Sequence, residues 1–181
     1  MKLNRFSNKN WNKGAGFLKI LLWNIVSIIF FENSLFIFYK PKVILLRIFG
    51  SVIGKNVIIK PNVKIKFPWK LKIDDYSWVG EKVWIDNLDD ISIGKNVCIS
   101  QGAYLLTGNH DYNSLTFDLK TGKITIRDSA WIAAKSIILP NTVISENSII
   151  GVGCVFGGKT LKNEIYQLEK LNVKRIRKIN E

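Results

Sequence analysis

The chain has a single histidine, His110, in the segment Thr107-Gly108-Asn109-His110-Asp111-Tyr112-Asn113. Imidazole is the side chain whose unperturbed pKa lies nearest neutrality, so it suits removing a proton from a hydroxyl. Composition alone favours the plainer reading, a surface histidine in a polar loop. A second candidate is Asp86-Asn87, a carboxylate beside an amide. That pair suits several hydroxyls of one ligand and is equally a good turn former. A third, Gly153-Cys154-Val155-Phe156-Gly157-Gly158-Lys159-Thr160, has the spacing of a phosphate-binding loop. Such a loop works only between a strand and the helix whose N-terminus faces the phosphates. No hydrophobic strand ending in a magnesium-binding aspartate completes it here, so nucleotide hydrolysis is not expected. Cys98 and Cys154 show neither metal-ligand spacing nor a disulfide framework and read as reduced, buried thiols.

The elements that must position these groups follow a period of six. Branched aliphatic or aromatic residues recur at Ile126, Ile132, Ile138, Ile144, Ile150 and Phe156, with smaller residues four places on at Ala130, Ser136, Thr142, Ser148 and Cys154. This is neither the 3.6 of a helix nor plain alternation, and internal repeats of this kind mark stacked architectures. Three sixes make one triangular coil of short strands that pairs in parallel with the next. The ladder extends upstream through Ile53, Ile59, Ile65 and Leu71, then Ile73, Val79, Ile85 and Ile91, then Ile93, Ile99 and Leu105. About five coils are expected between Ile53 and Phe156. The register is lost from Leu106 to Lys123, and that interruption holds His110. Counted by coils, Asp86-Asn87 lies below the interruption and Trp131 above it, so a single cleft is expected to collect all three.

The remaining segments are appendages. At 181 residues and 47% hydrophobic, the chain is one domain with ample core. Residues 1–16 are polar and read as an arm. Phe17–Phe31 keeps Lys19, Asn24 and Ser27 within one narrow stripe when wound at 100° per residue, as a mostly buried helix would. It falls short of the roughly 20 residues that cross a bilayer. Extending it to Tyr39 would carry Glu32 and Asn33 through the apolar layer. A second helix is expected over Pro41–Phe49, with Gly50 just past its end. Gly54, Gly80 and Gly94 each follow a rung residue and read as tight-turn positions. The charge, 27 Lys+Arg against 14 Asp+Glu, points to anionic company. Residues 159–181 read as a basic tail covering the last coil. No cleavable leader is evident, and the expected setting is the cytoplasm or the inner face of the cell membrane.

From about Pro41 to Thr160 the sequence resembles the hexapeptide-repeat acyltransferases, most closely the colanic-acid-type polysaccharide O-acetyltransferases, which are related to the maltose and galactoside acetyltransferases. The segments that carry the resemblance are LLRIFGSVIGKNVIIKPNVKIKFPWKL, VGEKVWIDNL, IGKNVCISQGAYLLTGNHDYN and WIAAKSIILPNTVISENSIIGVG. It implies an all-β, left-handed parallel β-helix, occupying residues 51–158, with an N-terminal helical segment over 1–50 and an active-site loop at 106–123. It implies a homotrimer with sites in the clefts between subunits, acetyl-CoA as donor, and no metal. His110 takes the part of the general base toward a sugar hydroxyl, oriented by a carboxylate or a backbone carbonyl, for which Asp111 is the adjacent candidate. Asp86 and Asn87 match acceptor-side residues, with Asn109 and Asp111 beside the base. Trp131, Ala133 and Ala134 match the segment beside the pantetheine arm, and Gly151, Val152 and Gly153 the next coil of the same groove.

The resemblance fails at the end of the chain. Gly157-Gly158-Lys159-Thr160 replaces the usual Thr-Lys, and Leu168-Glu169-Lys170-Leu171 stands where Gly-Asn-Pro-Ala is expected. Lys159 and the Lys174–Lys178 cluster are the cations left to meet the coenzyme's phosphates. The expected activity is therefore O-acetylation of a sugar in surface-polysaccharide biosynthesis, with a peripheral membrane position and no nucleic acid partner. The alternatives are acetylation of a small soluble acceptor, a free sugar or serine, or a non-catalytic trimerising module. A zinc-dependent β-helix hydratase is excluded because its metal site needs several histidines.

Overall fold

The structure is a computed structural model that describes residues 2–8 and 11–168. Helix α1 (Phe17–Val26) runs into one π-helical turn, Ser27–Phe31, and α2 (Tyr39–Ile48) follows. The strands then come in threes. The first coil is β1 (Val52–Ile53), β2 (Ile58–Ile59) and β3 (Lys64–Ile65); the second is β4 (Leu71–Ile73), β5 (Trp78–Val79) and β6 (Trp84–Asp86). The third is β7 (Ile91–Ile93), β8 (Cys98–Ile99) and β9 (Tyr104–Leu106), after which β10 (Gly108–His110) and β11 (Leu119–Thr121) form an antiparallel hairpin. The fourth coil is β12 (Ile124–Ile126), β13 (Trp131–Ile132) and β14 (Ile137–Ile138); the fifth is β15 (Thr142–Ile144), β16 (Ile149–Ile150) and β17 (Val155–Phe156). A sixth begins with a bridge from Val143 to Lys159 and with β18 (Ile165–Tyr166).

Each set of equivalent strands makes one parallel face of a triangular prism. The register stacks like on like: Ile73 on Ile93 on Ile126 on Ile144 in the first face, and Val79 on Ile99 on Ile132 on Ile150 in the second. Every rung from Ile53 to Ile150 is buried, as are the small residues Ala130, Ser136, Thr142, Ser148 and Cys154. Cys98 is only partly buried and faces outward, contrary to its reading as a core thiol.

The corners use asparagine more than glycine. The corner from first to second face repeats a left-handed residue at Asn56, Tyr76, Asn96, Ser129, Asn147 and Asn163. Asparagine tolerates that region better than other residues with a Cβ, so its abundance here is structural. Gly54 and Gly94 are required for another reason. A Cβ on Gly54 would meet the backbone and side chain of Asp75, and one on Gly94 would meet Asp128.

The two-residue shifts in the ladder fall at one place, the corner from third face back to first. There Phe67–Lys70, Asn87–Asp90 and the 106–123 excursion stack above one another. Among these the Asn87 side chain is fully buried and bridges coils, accepting from Phe67 N at 2.9 Å and donating to Phe67 O at 2.6 Å.

The helices close the open end of the first coil. Trp23 Nε1 donates to Ile65 O, Lys42 Nζ to Lys60 O, and the Arg47 guanidinium to Ile53 O and Gly54 O. These bonds satisfy strand carbonyls that have no coil beneath them. The expectation of a mostly buried first helix is corrected: within α1 only Trp23 is buried, and its outward side is apolar and exposed. From the cap the arm climbs the enlarged corner. Trp69 Nε1 donates to Lys13 O, Lys70 Nζ to Asn12 O, Trp11 Nε1 to Leu88 O, and Lys2 N to Leu115 O. At the other end the first part of the expected tail continues the sheet through β18, and residues 169–181, including the Lys174–Lys178 cluster, lie outside the described residues.

Candidate active site

The histidine loop is anchored before it departs. Thr107, fully buried, donates from N and Oγ1 to Asp86 O, and its Oγ1 accepts from Asp89 N. Gly122 N closes the base on Thr107 O, Thr121 Oγ1 reaches Asp89 Oδ2, and Lys123 pairs with Asp90 at 2.8 Å. The tip is organised by Asp118. Its two oxygens accept from Ser114 and Thr116 hydroxyls, which hold the carboxyl below its usual range, while its carbonyl accepts from Asp111 N. Within this turn Phe117 takes a left-handed φ of 53°.

That conformation places the Phe117 carbonyl 2.8 Å from His110 Nδ1 and stacks the two rings at 4.1 Å. A carbonyl only accepts, so Nδ1 must carry the proton of the neutral ring. The lone pair is thereby assigned to Nε2, which has no protein partner among the described residues. Phe6 from the arm lies beside the ring, tilted to it with centroids 5.8 Å apart. The orienting group is thus a backbone carbonyl seven residues on, and Asp111 is not it. Asp111 pairs with Lys120 at 2.8 Å, which draws its carboxyl below the usual range, and accepts from Asn113 N. Asn109 Oδ1 accepts from His110 N, so both neighbours hold the hairpin rather than open a ligand pocket.

Asp86 is buried beneath the loop, 2.9 Å from Lys66 Nζ, and accepts from the Tyr104 hydroxyl at 3.1 Å. Burial, and then the carboxylate, push the Tyr104 phenol above its usual range. The Tyr104 ring stacks on Trp84 at 4.6 Å, and Lys64 lies over Trp84. Lys66, Trp84 and Tyr104 escaped the sequence reading, although Trp84 and Tyr104 occupy the same outward phase of successive coils. Asn87 is a correction: with both ends of its amide spent on Phe67 and no exposed surface, it is not placed to meet a substrate.

The expected single cleft does not form within one chain. Trp131 stands on the second face, and Ala133, Ala134, Gly151, Val152 and Gly153 occupy the corner from second to third face. The histidine loop leaves from a different corner. A groove of about 390 Å³ runs along the lower part of the second-to-third corner, lined by Lys60, Trp78, Gly80, Glu81, Ser100 and Gln101 among others. Trp131 Nε1 donates to Ser100 Oγ at 2.8 Å and so joins the fourth coil to that groove. Ala133 N is spent on Ile150 O, whereas Ala134 N, like Glu81 N, Gln101 N and Val152 N at the same turn position of other coils, has no acceptor among the described residues. Lys159 is exposed beyond the fifth coil. The glycine-rich segment that imitates a phosphate loop is strand β17 and the corner after it, with no helix following among the described residues. Among the described residues no cluster of His, Cys, Asp or Glu could hold a metal.

No protein-family profile matches the chain. A protein of Escherichia coli strain K12 named for acetyl transfer in colanic acid biosynthesis, WcaF, is 39% identical over 149 residues, 82% of this chain and 82% of its own. A maltose O-acetyltransferase structure from Clostridium difficile superposes with a TM-score of 0.75 at 22% identity, covering 91% of this chain and 88% of that one. A hexapeptide-repeat acetyltransferase from Vibrio cholerae, solved with acetyl coenzyme A, superposes at 0.66 and 17% identity over 71% of this chain and 72% of that one. The fold match gives the prism its winding, the left-handed parallel β-helix.

Proposed function

Because the chain belongs to the hexapeptide-repeat acetyltransferases, the family of that Escherichia coli protein, we propose that it moves an acetyl group from acetyl-CoA to a sugar hydroxyl of a surface polysaccharide or its precursor. The observation that carries this reading is the tautomer set by the Phe117 carbonyl at 2.8 Å from His110 Nδ1. Nε2 takes the proton of the sugar hydroxyl as its oxygen attacks the thioester carbonyl carbon. The tetrahedral oxyanion is met by a backbone N–H at the small-residue corner, where Ala134 N is unspent. Collapse expels the coenzyme thiolate, which takes the proton from the imidazolium. The products are an acetyl ester and free coenzyme A, and the histidine returns neutral.

The coenzyme's place is the second-to-third corner, with Trp131, Ala134 and Gly151–Gly153 beside the pantetheine arm and Lys159 toward the phosphates. The acceptor's place is the third face beside the histidine loop, where Lys66 and Tyr104, held by the buried Asp86, offer charge and hydroxyl beside the stacked ring of Trp84. Since the loop and the coenzyme's place lie on different corners of one prism, a second copy must bring its corner to the loop. A closed threefold ring of identical prisms supplies one such junction per chain.

Release of thiol from acetyl-CoA in the presence of a panel of sugars and polysaccharide fragments tests the mechanism, comparing the wild type with His110→Ala. Loss of the base lowers the rate by roughly 10²–10⁴. Equal rates in both proteins would refute the role of His110. No thiol release and no coenzyme binding would leave a non-catalytic scaffold instead.

A further inference from the structure

The helical cap is apolar on both sides. One side buries Trp23 and Phe31 against the first coil. The other exposes Leu18, Leu22, Ile25 and Ile29, a stripe at helical spacing, and the connection and α2 that follow expose Leu35 (88% exposed), Phe38, Ile44 and Ile48 (70% exposed). Single exposed apolar residues are ordinary on a protein surface, but so many on one cap mark a surface that meets something.

Charge is segregated to the same end. The first 73 residues hold 14 of the 27 Lys+Arg and a single acid, Glu32, while the other 108 carry 13 of each sign. All of the net charge of +13 therefore lies in the arm, the cap, the first coil and the start of the second. Next to Ile44, a groove of about 390 Å³ between α2 and the first corner is lined by Tyr39, Lys40, Arg47 and Lys55 among others, with no carboxylate.

We propose that the outward side of this cap docks the protein on an anionic lipid bilayer. The exposed stripe enters the headgroup boundary and the surrounding cations meet lipid phosphates. No helix among the described residues is long and apolar enough to cross a membrane, which fits a helix lying in the interface. A second copy is the poorer occupant, because cap-to-cap contact would oppose two ends that carry the whole positive charge. The cap closes an end of the prism, so it remains open when lateral corners meet between copies. In a threefold ring the three caps would share one plane. An anionic surface there agrees with the inner face of the cell membrane as the setting.

Co-sedimentation of the purified full chain with vesicles tests this, using phosphatidylcholine alone and phosphatidylcholine with about 30 mol% phosphatidylglycerol. Binding is expected to be at least about tenfold stronger on the anionic vesicles and to fall steeply between low and high salt. The triple variant Leu22→Ser, Ile25→Ser, Ile29→Ser alters only exposed side chains. It is expected to lose about tenfold or more in binding while keeping the wild-type melting temperature and gel-filtration position. His110→Ala is expected to bind as the wild type does, so the outcome is independent of the proposed chemistry. Equal binding to neutral and anionic vesicles would overturn the proposal. So would a triple variant that binds unchanged, or a wild type that pairs cap to cap without vesicles and ignores them when they are added.

Discussion

Asn87→Ala separates a structural reading of the corner from a substrate-binding one. The amide makes two bonds to one residue, 2.9 Å from Phe67 N and 2.6 Å to Phe67 O, and is entirely buried. Alanine leaves that N–H without a partner, whereas the carbonyl keeps its second bond, from Lys70 N at 3.0 Å. The orphaned buried N–H costs about 1–3 kcal/mol, and the lost bond to the carbonyl and the vacated volume add to it, so a loss of about 2–4 kcal/mol is expected. At about 2–4 °C per kcal/mol for a chain of this size, the melting temperature falls by roughly 5–15 °C. The paired assay is thermal unfolding alongside the apparent KM for the acceptor, measured well below the new transition. The account expects a large thermal shift and a KM within about twofold of wild type. An unchanged melting temperature with a KM raised tenfold would show that Asn87 faces the substrate and that the corner is built differently.

Two further outcomes test the scaffold. Ile132→Ala removes a fully buried rung between Ile99 and Ile150, and is expected to cost about 2–5 kcal/mol in denaturant unfolding; a loss below 1 kcal/mol would deny the close stacking of the ladder. Lys42 is held by burial at a pKa of about 8, below the ordinary lysine value, with its ammonium on Lys60 O. The unfolded chain therefore binds more protons between about pH 8 and 10.5, so the cost is present in full below that window and is relieved as pH rises through it. Wild type should therefore gain roughly 1–2 kcal/mol relative to Lys42→Met between pH 7 and 10. A difference between the two proteins that does not change with pH would contradict this.

The ladder was readable because a buried rung every six residues leaves a period that no helix or plain strand shares. The corners were readable in part. Glycines after rungs were taken as turn residues, yet asparagine takes more of the left-handed positions than glycine does, and Gly54 and Gly94 answer the approach of the next coil. Placing Trp131 in one cleft with His110 failed for a countable reason. Ile132 is the second rung of its coil, whereas the loop leaves after the third, Leu105, so the two lie on different edges of the prism. The Phe117 carbonyl was not legible, since a backbone group oriented by a turn has no side-chain signature. The buried reading of Phe17–Phe31 failed because apolar residues on every side of a helix do not say which of them meets protein.

We propose that each site is shared between chains, loop from one and corner from the next. Two variants inactive for opposite reasons test it, His110→Ala in the loop and Ala134→Trp at the corner, dissociated, mixed in equal amounts and reassembled. If each site draws its loop and corner from different chains, random mixing makes both intact in about a quarter of sites, and thiol release should return to roughly a quarter of the wild-type rate. If a single chain holds both parts, no mixed assembly contains a complete site, and activity that stays at the level of the separate variants would contradict the account.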